Sequence, residues 1–165
     1  MELSVTKNFL PVCLNLKSYK ILVIGGGRVA AQKLKALLQF DCRITVVAKM
    51  AAGGMRRLAR KKRILLFMRG FKDSDIEGYN LIYACTDSPS LNRRVASLAK
   101  RRRVLFNIAG NPKASNFISP AIYKDKELLM AVSTSGKNPP MAVRIRDELK
   151  ETFSRKNMRT YFKKE

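Results

Sequence analysis

Lys20-Ile21-Leu22-Val23-Ile24-Gly25-Gly26-Gly27-Arg28-Val29-Ala30-Ala31-Gln32-Lys33-Leu34-Lys35-Ala36-Leu37-Leu38 decides the fold. Its first part is a short, unbroken apolar run, the pattern of a strand buried on both faces. Its last part sets Ala30, Leu34, Leu37 and Leu38 along one helical face. Between them, Gly25, Gly27 and Ala30 spell the G-x-G-x-x-A form of a dinucleotide-binding turn. Gly25 permits the tight exit from the strand. Gly27 leaves the backbone bare, so a pyrophosphate can approach it. Ala30 lets the helix lie close to the sheet. The first N–H groups of the helix lack partners within it and present a partial positive charge to phosphates. A plain glycine turn is the competing reading; the strand before and the helix after favour a nucleotide site.

Outward from this unit, strands and helices alternate. Apolar residues over 9–16 predict a strand beside the first. Further strands are expected over 43–48, 64–67, 81–85 and 104–106, and helices over 51–62 and 90–102. The later helix carries Leu91, Val95 and Leu98 on one face. This rhythm predicts an α/β fold, a Rossmann-like, doubly wound parallel sheet. After Asn111-Pro112 the rhythm changes. Strands over 117–123 and 128–132, joined by a turn over 124–127, precede a helix with Asn138 as N-cap and Pro139 at its first position. Met141, Ile145 and Leu149 fall on one stripe of that helix. The expected organisation is a dinucleotide-binding domain over 1–111, a small α+β segment over 112–153 and a basic tail over 154–165.

Composition narrows the function classes. A chain of 165 residues can bury a substantial core, and its 46% hydrophobic content is ordinary for a globular protein. No apolar run approaches the roughly 20 residues of a membrane span, and no signal-peptide core follows Met1. Cys13, Cys42 and Cys85 are odd in number and widely spaced, the usage of reduced thiols, so a cytoplasmic location is expected. There is no His, and no metal site is expected. Lys and Arg number 34 against 12 acids, a net charge of +22. Such a field draws polyanions. A solvated basic surface explains part of it. The chain has no Trp, and its basic runs lack interleaved aromatics, so nucleic acid is expected to bind weakly and without sequence preference.

The order of these signals resembles the precorrin-2 dehydrogenases, the N-terminal module of siroheme synthase. The stretches that carry the resemblance begin with Phe9-Leu10-Pro11-Val12 and Leu14-Asn15-Leu16-Lys17, then the glycine turn with its helix, then Ile44-Thr45-Val46-Val47-Ala48. They continue through Ala84-Cys85-Thr86-Asp87, Leu91-Asn92 and Phe106-Asn107-Ile108. Ser115-Asn116-Phe117-Ile118-Ser119-Pro120-Ala121 and Ala131-Val132-Ser133-Thr134-Ser135-Gly136-Lys137-Asn138-Pro139 complete them. The resemblance implies NAD-dependent oxidation of precorrin-2 to sirohydrochlorin, on the way to siroheme. It also implies a homodimer built through the segment after Pro112, and in some members insertion of ferrous iron.

The cofactor set is expected to be Gly25, Gly26, Gly27, Arg28, Val29, Ala30, Ala48, Lys49, Thr86 and Asp87. Thr86 and Asp87 have a second reading, as caps of the following helix. Substrate contacts are expected at Asn107, Gly110, Ser133, Thr134 and Ser135. Asn107 can also be a turn former, and the serine–threonine run a simple helix entry. The second strand ends in Ala48-Lys49-Met50, without the acid that usually holds the ribose hydroxyls of NAD, so NADP stays open beside NAD. The family usually carries an Asp at the position of Gly110, with an acid–base role. Its loss makes ferrochelatase activity doubtful and assigns no catalytic residue. Two other readings stand: a non-catalytic protein that holds NAD and a tetrapyrrole, and a basic nucleic-acid binder on a Rossmann scaffold.

Overall fold

The structure, a computed structural model, describes residues 9–125 and 128–153. The basic tail over 154–165, and Lys126 and Glu127 of the expected turn, lie outside the described residues. By their internal contacts the described residues divide into two compact units, one comprising Phe9–Ile118 and the other beginning at Ser119.

The larger unit holds five parallel strands: β1 (Lys20–Ile24), β2 (Arg43–Val47), β3 (Leu65–Phe67), β4 (Leu81–Ala84) and β5 (Leu105–Ile108). Their order across the sheet is β3-β2-β1-β4-β5. The chain builds outward from β1 on one side, then crosses back to start again on the other. The switch point therefore lies between β1 and β4, where a doubly wound sheet opens a crevice at the carboxyl ends of its strands. Helices α1 (Arg28–Leu37) and α2 (Gly53–Arg60) contribute to the core with Ile21 and Val23. Helix α3 (Pro89–Arg101) contributes to the other core with Leu22 and Ile24. Alternate residues of β1 thus feed opposite faces, which is why the strand reads as a continuous apolar run.

Three sequence expectations are corrected. Residues 9–16 form no strand. Leu10, Val12 and Leu14 are exposed, and only Leu16 and Tyr19 reach the core. The alternation there looks like a strand, but Pro11 lacks a donor and no sheet edge takes the segment up. The fifth strand is longer than expected, so Asn107 lies inside it, opposite Tyr83. The expected strand over 117–123 begins only at Ala121. The preceding residues instead cover the free edge of β5. Phe106 N–H donates to Asn116 Oδ1 at 2.7 Å, and Ile108 N–H to Ser115 Oγ at 2.9 Å. Asn116 Nδ2 donates to the Val104 carbonyl at 2.9 Å. With Asn116 N–H donating to the Phe106 carbonyl at 3.1 Å, these mostly side-chain bonds do the pairing that a sixth strand would do, and they close an edge open to aggregation.

The smaller unit pairs β6 (Ala121–Lys124) antiparallel with β7 (Leu129–Val132) and adds α4 (Pro139–Thr152). Asn138 caps α4, accepting from Met141 N–H at 3.0 Å. The buried position of α4 is Ala142, with Ile145 and Leu149 half-buried. Met141, expected on that stripe, is exposed, as are Val143 and Leu129. Among the described residues no helix is long and apolar enough to cross a membrane.

Candidate functional site

The turn after β1 is built by three glycines with three different jobs. Gly25 has φ +117, a conformation that side chains rarely adopt, and a Cβ there would lie 2.3 Å from the Cys85 carbonyl oxygen. The close approach follows from β1 and β4 lying side by side: Cys85 N–H donates to the Ile24 carbonyl at 2.7 Å. At Gly26 a Cβ would lie 1.9 Å from the Met50 carbonyl oxygen. That glycine packs the turn against the loop after β2, and its carbonyl accepts from Ala52 N–H at 3.1 Å. Around a Cβ at Gly27 there is nothing within 4 Å.

Gly27 is also the N-cap of α1, in extended conformation, with no side-chain cap and no acid in the first helical turn. The helix therefore begins with uncapped N–H groups facing open space, with no carboxylate of its own to occupy them. The space and the donors fit the pyrophosphate of a dinucleotide. Ala30 is fully buried, which lets α1 approach the sheet closely.

Parallel strands bring the other expected cofactor residues to this same edge. Ala48 follows β2, its N–H donating to the Phe67 carbonyl at 3.1 Å, and Lys49 beside it is exposed. Arg28 and Val29 are exposed on the first turn of α1. Thr86 and Asp87 follow β4. Thr86 is held on both sides: its Oγ1 donates to Asn92 Oδ1 at 2.7 Å, and its carbonyl accepts from Asn92 Nδ2 at 2.9 Å. The cap of α3 is Ser88, whose Oγ accepts from Leu91 N–H at 3.3 Å, so the capping reading of Thr86 and Asp87 is corrected. Gly110 follows β5 at this edge with φ +75. Asn107 is buried within β5 and donates from Nδ2 to the Phe117 carbonyl at 3.1 Å; it forms no turn. Ser133, Thr134 and Ser135 belong to the smaller unit. Ser133 Oγ accepts from Ser135 N–H, and Thr134 Oγ1 from Asn138 N–H at 2.9 Å. Ser135 and Gly136 both have positive φ, so this loop turns sharply before α4.

One cluster beside the turn escaped sequence reading. Lys33 of α1 places its Nζ 5.5 Å from the centre of the Tyr83 ring. Burial lowers the Lys33 ammonium below its ordinary range, against the pull of the neighbouring Cys85. Burial pushes the Cys85 thiol up to about 11, against the pull of Lys33. Lys33 lies 50 or more positions from Tyr83 and Cys85, and only the fold joins it to them. Two outcomes are expected. With about a hundredfold less thiolate than an ordinary cysteine, Cys85 should alkylate far more slowly than exposed Cys13. Its raised pKa also contributes stability that is full below pH 9 and lost as the pH rises toward 11, worth about 2–3 kcal/mol. Lys33 opposes this in part, because its lowered pKa makes the fold gain as the pH nears 10.5. Urea unfolding below pH 9 and near pH 11 should show a steeper alkaline loss in wild type than in Cys85→Ala. Equal losses would refute the assignment.

The family model described as "Putative NAD(P)-binding" matches residues 12–121. The siroheme synthase of Vesicomyosocius okutanii subsp. Calyptogena okutanii is 34% identical over 146 residues, covering 88% of this chain and 31% of the relative. That of Methylococcus capsulatus is 37% identical over 142 residues, covering 86% and 30%. That of Pseudomonas fluorescens is 38% identical over 141 residues, again covering 86% and 30%. The chain thus spans under a third of the length of these curated relatives. A solved structure of "SirC, precorrin-2 dehydrogenase" superposes with a TM-score of 0.77 at 26% identity, over 93% of this chain and 76% of that one.

Proposed function

From a chain that belongs to the NAD(P)-binding family of the precorrin-2 dehydrogenases and siroheme synthase N-terminal modules, we propose an enzyme that oxidises precorrin-2 to sirohydrochlorin with NAD. The observation that carries it is the uncapped start of α1 beside an open Gly27, at the switch point of the sheet. Gly25–Ala30 would hold the dinucleotide through backbone N–H groups. Ala48, Lys49, Thr86 and Asp87 would flank it. The bound nicotinamide supplies a hydride acceptor. The residues of the chain bind and orient, which is the larger part of the work when two flat molecules exchange a hydride. The substrate's carboxylates suit a chain of net charge +22. Asn107, Gly110 and the Ser133–Ser135 run are assigned to the substrate by family resemblance alone.

The test is consumption of precorrin-2 without oxygen, with each nucleotide in turn. Turnover with NAD is expected, with NADP clearly poorer. Equal or faster turnover with NADP would move Lys49 from bystander to 2′-phosphate ligand.

A cytoplasmic homodimer is part of the same proposal. Cys13, Cys42 and Cys85 are all free thiols, as a reducing compartment maintains them. A two-stranded hairpin with one helix is marginal by itself. The smaller unit nonetheless exposes Leu129, Met141 and Val143. A second copy would cover them. Sedimentation should give twice the chain mass, and Met141→Lys with Val143→Lys should give the monomer. A wild-type monomer at high concentration would contradict this.

A further inference from the structure

The opposite end of the sheet carries a second concentration of charge. Lys20 and Arg43 begin β1 and β2 and stand in register. Lys62 and Arg63 lie in the turn from α2 into β3, and Tyr79 precedes β4. Because the strands are parallel, these starts lie at the edge away from Gly25. A cavity of about 490 Å³ opens there, lined by Lys20, Arg43, Lys62 and Arg63 around Tyr79 and Leu65. No carboxylate lines it. All four cations are exposed, and among the described residues none of them is ion-paired. Among the described residues, the side-chain hydrogen bond from these four cations is Arg63 Nη2 to the Leu38 carbonyl, a long 3.5 Å.

Neighbouring strands run about 4.8 Å apart, so Lys20 and Arg43 start adjacent rows with like charge. Four cations gathered with no carboxylate in the lining repel one another; Asp41, close enough to act on the lining Cys42, offsets only part of this, and an anion relieves the rest. Lys62 follows the end of α2 with φ +53, the left-handed position where helices usually place glycine. A side chain there is held at a cost in strain, as that of Arg103 is at the same position after α3.

We propose that this cavity binds a small oligophosphate, separately from the dinucleotide turn. Guanidinium forks of Arg43 and Arg63 suit phosphate oxygens, and Lys20 and Lys62 add point charges. Tyr79 and Leu65 offer apolar surface to a carbon body attached to the phosphates. The volume suits a small molecule.

The probe is inorganic triphosphate, titrated by calorimetry into the full chain saturated with NAD, which occupies the dinucleotide turn. One triphosphate per chain is expected. Arg43→Gln should weaken it about tenfold or more, the scale of a lost hydrogen bond between charged groups. Lys62→Gly should also weaken it, yet melt no lower than wild type, because glycine relieves the left-handed strain. Arg60→Gln, exposed on α2 outside the cavity, should change affinity less than about twofold. Gly27→Asp should bind triphosphate as wild type does. Equal losses for Arg60→Gln and Arg43→Gln would mean a diffuse field and overturn the site. Loss in Gly27→Asp would place the triphosphate at the dinucleotide turn instead. Displacement by a mixed-sequence single-stranded oligonucleotide that covers many bases per chain would assign the surface to nucleic acid and equally overturn the proposal.

Discussion

Gly26→Ala should lower the melting temperature by about 10 °C, whereas Gly27→Asp should leave the fold intact and remove NAD binding. The two residues are neighbours in one motif, and their environments are opposite. A methyl at position 26 would meet the Met50 carbonyl oxygen at 1.9 Å and Ala51 Cα at 2.9 Å. Both obstacles are backbone, and the hydrogen bond from Ala52 N–H to the Gly26 carbonyl ties them to the turn. They cannot swing aside as a long side chain would. Overpacking of this kind costs about 3 kcal/mol, a large share of the roughly 5–15 kcal/mol that holds a domain together. At position 27 the space is open and the backbone extended, so any residue is accommodated. Asp is moreover a good N-cap, worth a few tenths of a kcal/mol over glycine. Its carboxylate would satisfy the N–H groups meant for the pyrophosphate and repel the phosphates. Loss of two charge-assisted hydrogen bonds at about 1.5–3 kcal/mol each corresponds to a hundredfold or more in affinity. Melting curves and NAD titration of both variants check this. Unchanged NAD affinity in Gly27→Asp would remove the cofactor from this turn.

Insertion of ferrous iron into sirohydrochlorin should be slow in the wild type and rise about a hundredfold in Gly110→Asp, the scale of a positioned acid or base. The pyrrole nitrogens must lose two protons as the metal enters. The family resemblance implies a carboxylate at position 110, where this chain has Gly110, and the sequence has no His to replace it. The structure adds a constraint. Gly110 has φ +75, with nothing within 4 Å of a Cβ. The substitution therefore meets no clash, only left-handed strain of about 1–2 kcal/mol, which Asp tolerates better than most residues. The variant should melt a few degrees lower and still fold. Oxidation of precorrin-2 depends on placing the hydride acceptor and should change far less than iron insertion. Fast iron insertion by the wild type would locate the proton-handling group elsewhere.

What the sequence made legible was local. β1, the glycine turn and α1 are contiguous, and their periodicities change where the structure changes. The Asn138 cap and Pro139 likewise mark the start of α4 within a few residues. What it hid depends on partners distant in the chain. Residues 9–16 have the alternation of a strand, but a strand also needs a free edge, and the local pattern cannot report that. Phe117 reads as the start of a strand, yet Ser115 and Asn116 have already closed the edge of β5 with side chains. Gly26 looks like a spare glycine until Met50 is seen against it. Lys33 and Cys85 fall in stretches that carry the family resemblance, but no local pattern joins them to Tyr83; the approach of α1 to β4 creates their cluster. The placement of Asn107 moved for a similar reason, since the pairing of β5 with β4 runs on to Ile108.

The most direct test of NAD-dependent precorrin-2 oxidation is stoichiometry. The chain is incubated with precorrin-2 and NAD without oxygen, and NADH and sirohydrochlorin are followed together by absorbance. One NADH should appear for each sirohydrochlorin in the wild type, and neither should appear above background in Gly27→Asp. A wild-type protein that binds NAD and precorrin-2 but forms no NADH would contradict the enzyme reading and leave a protein that only holds them.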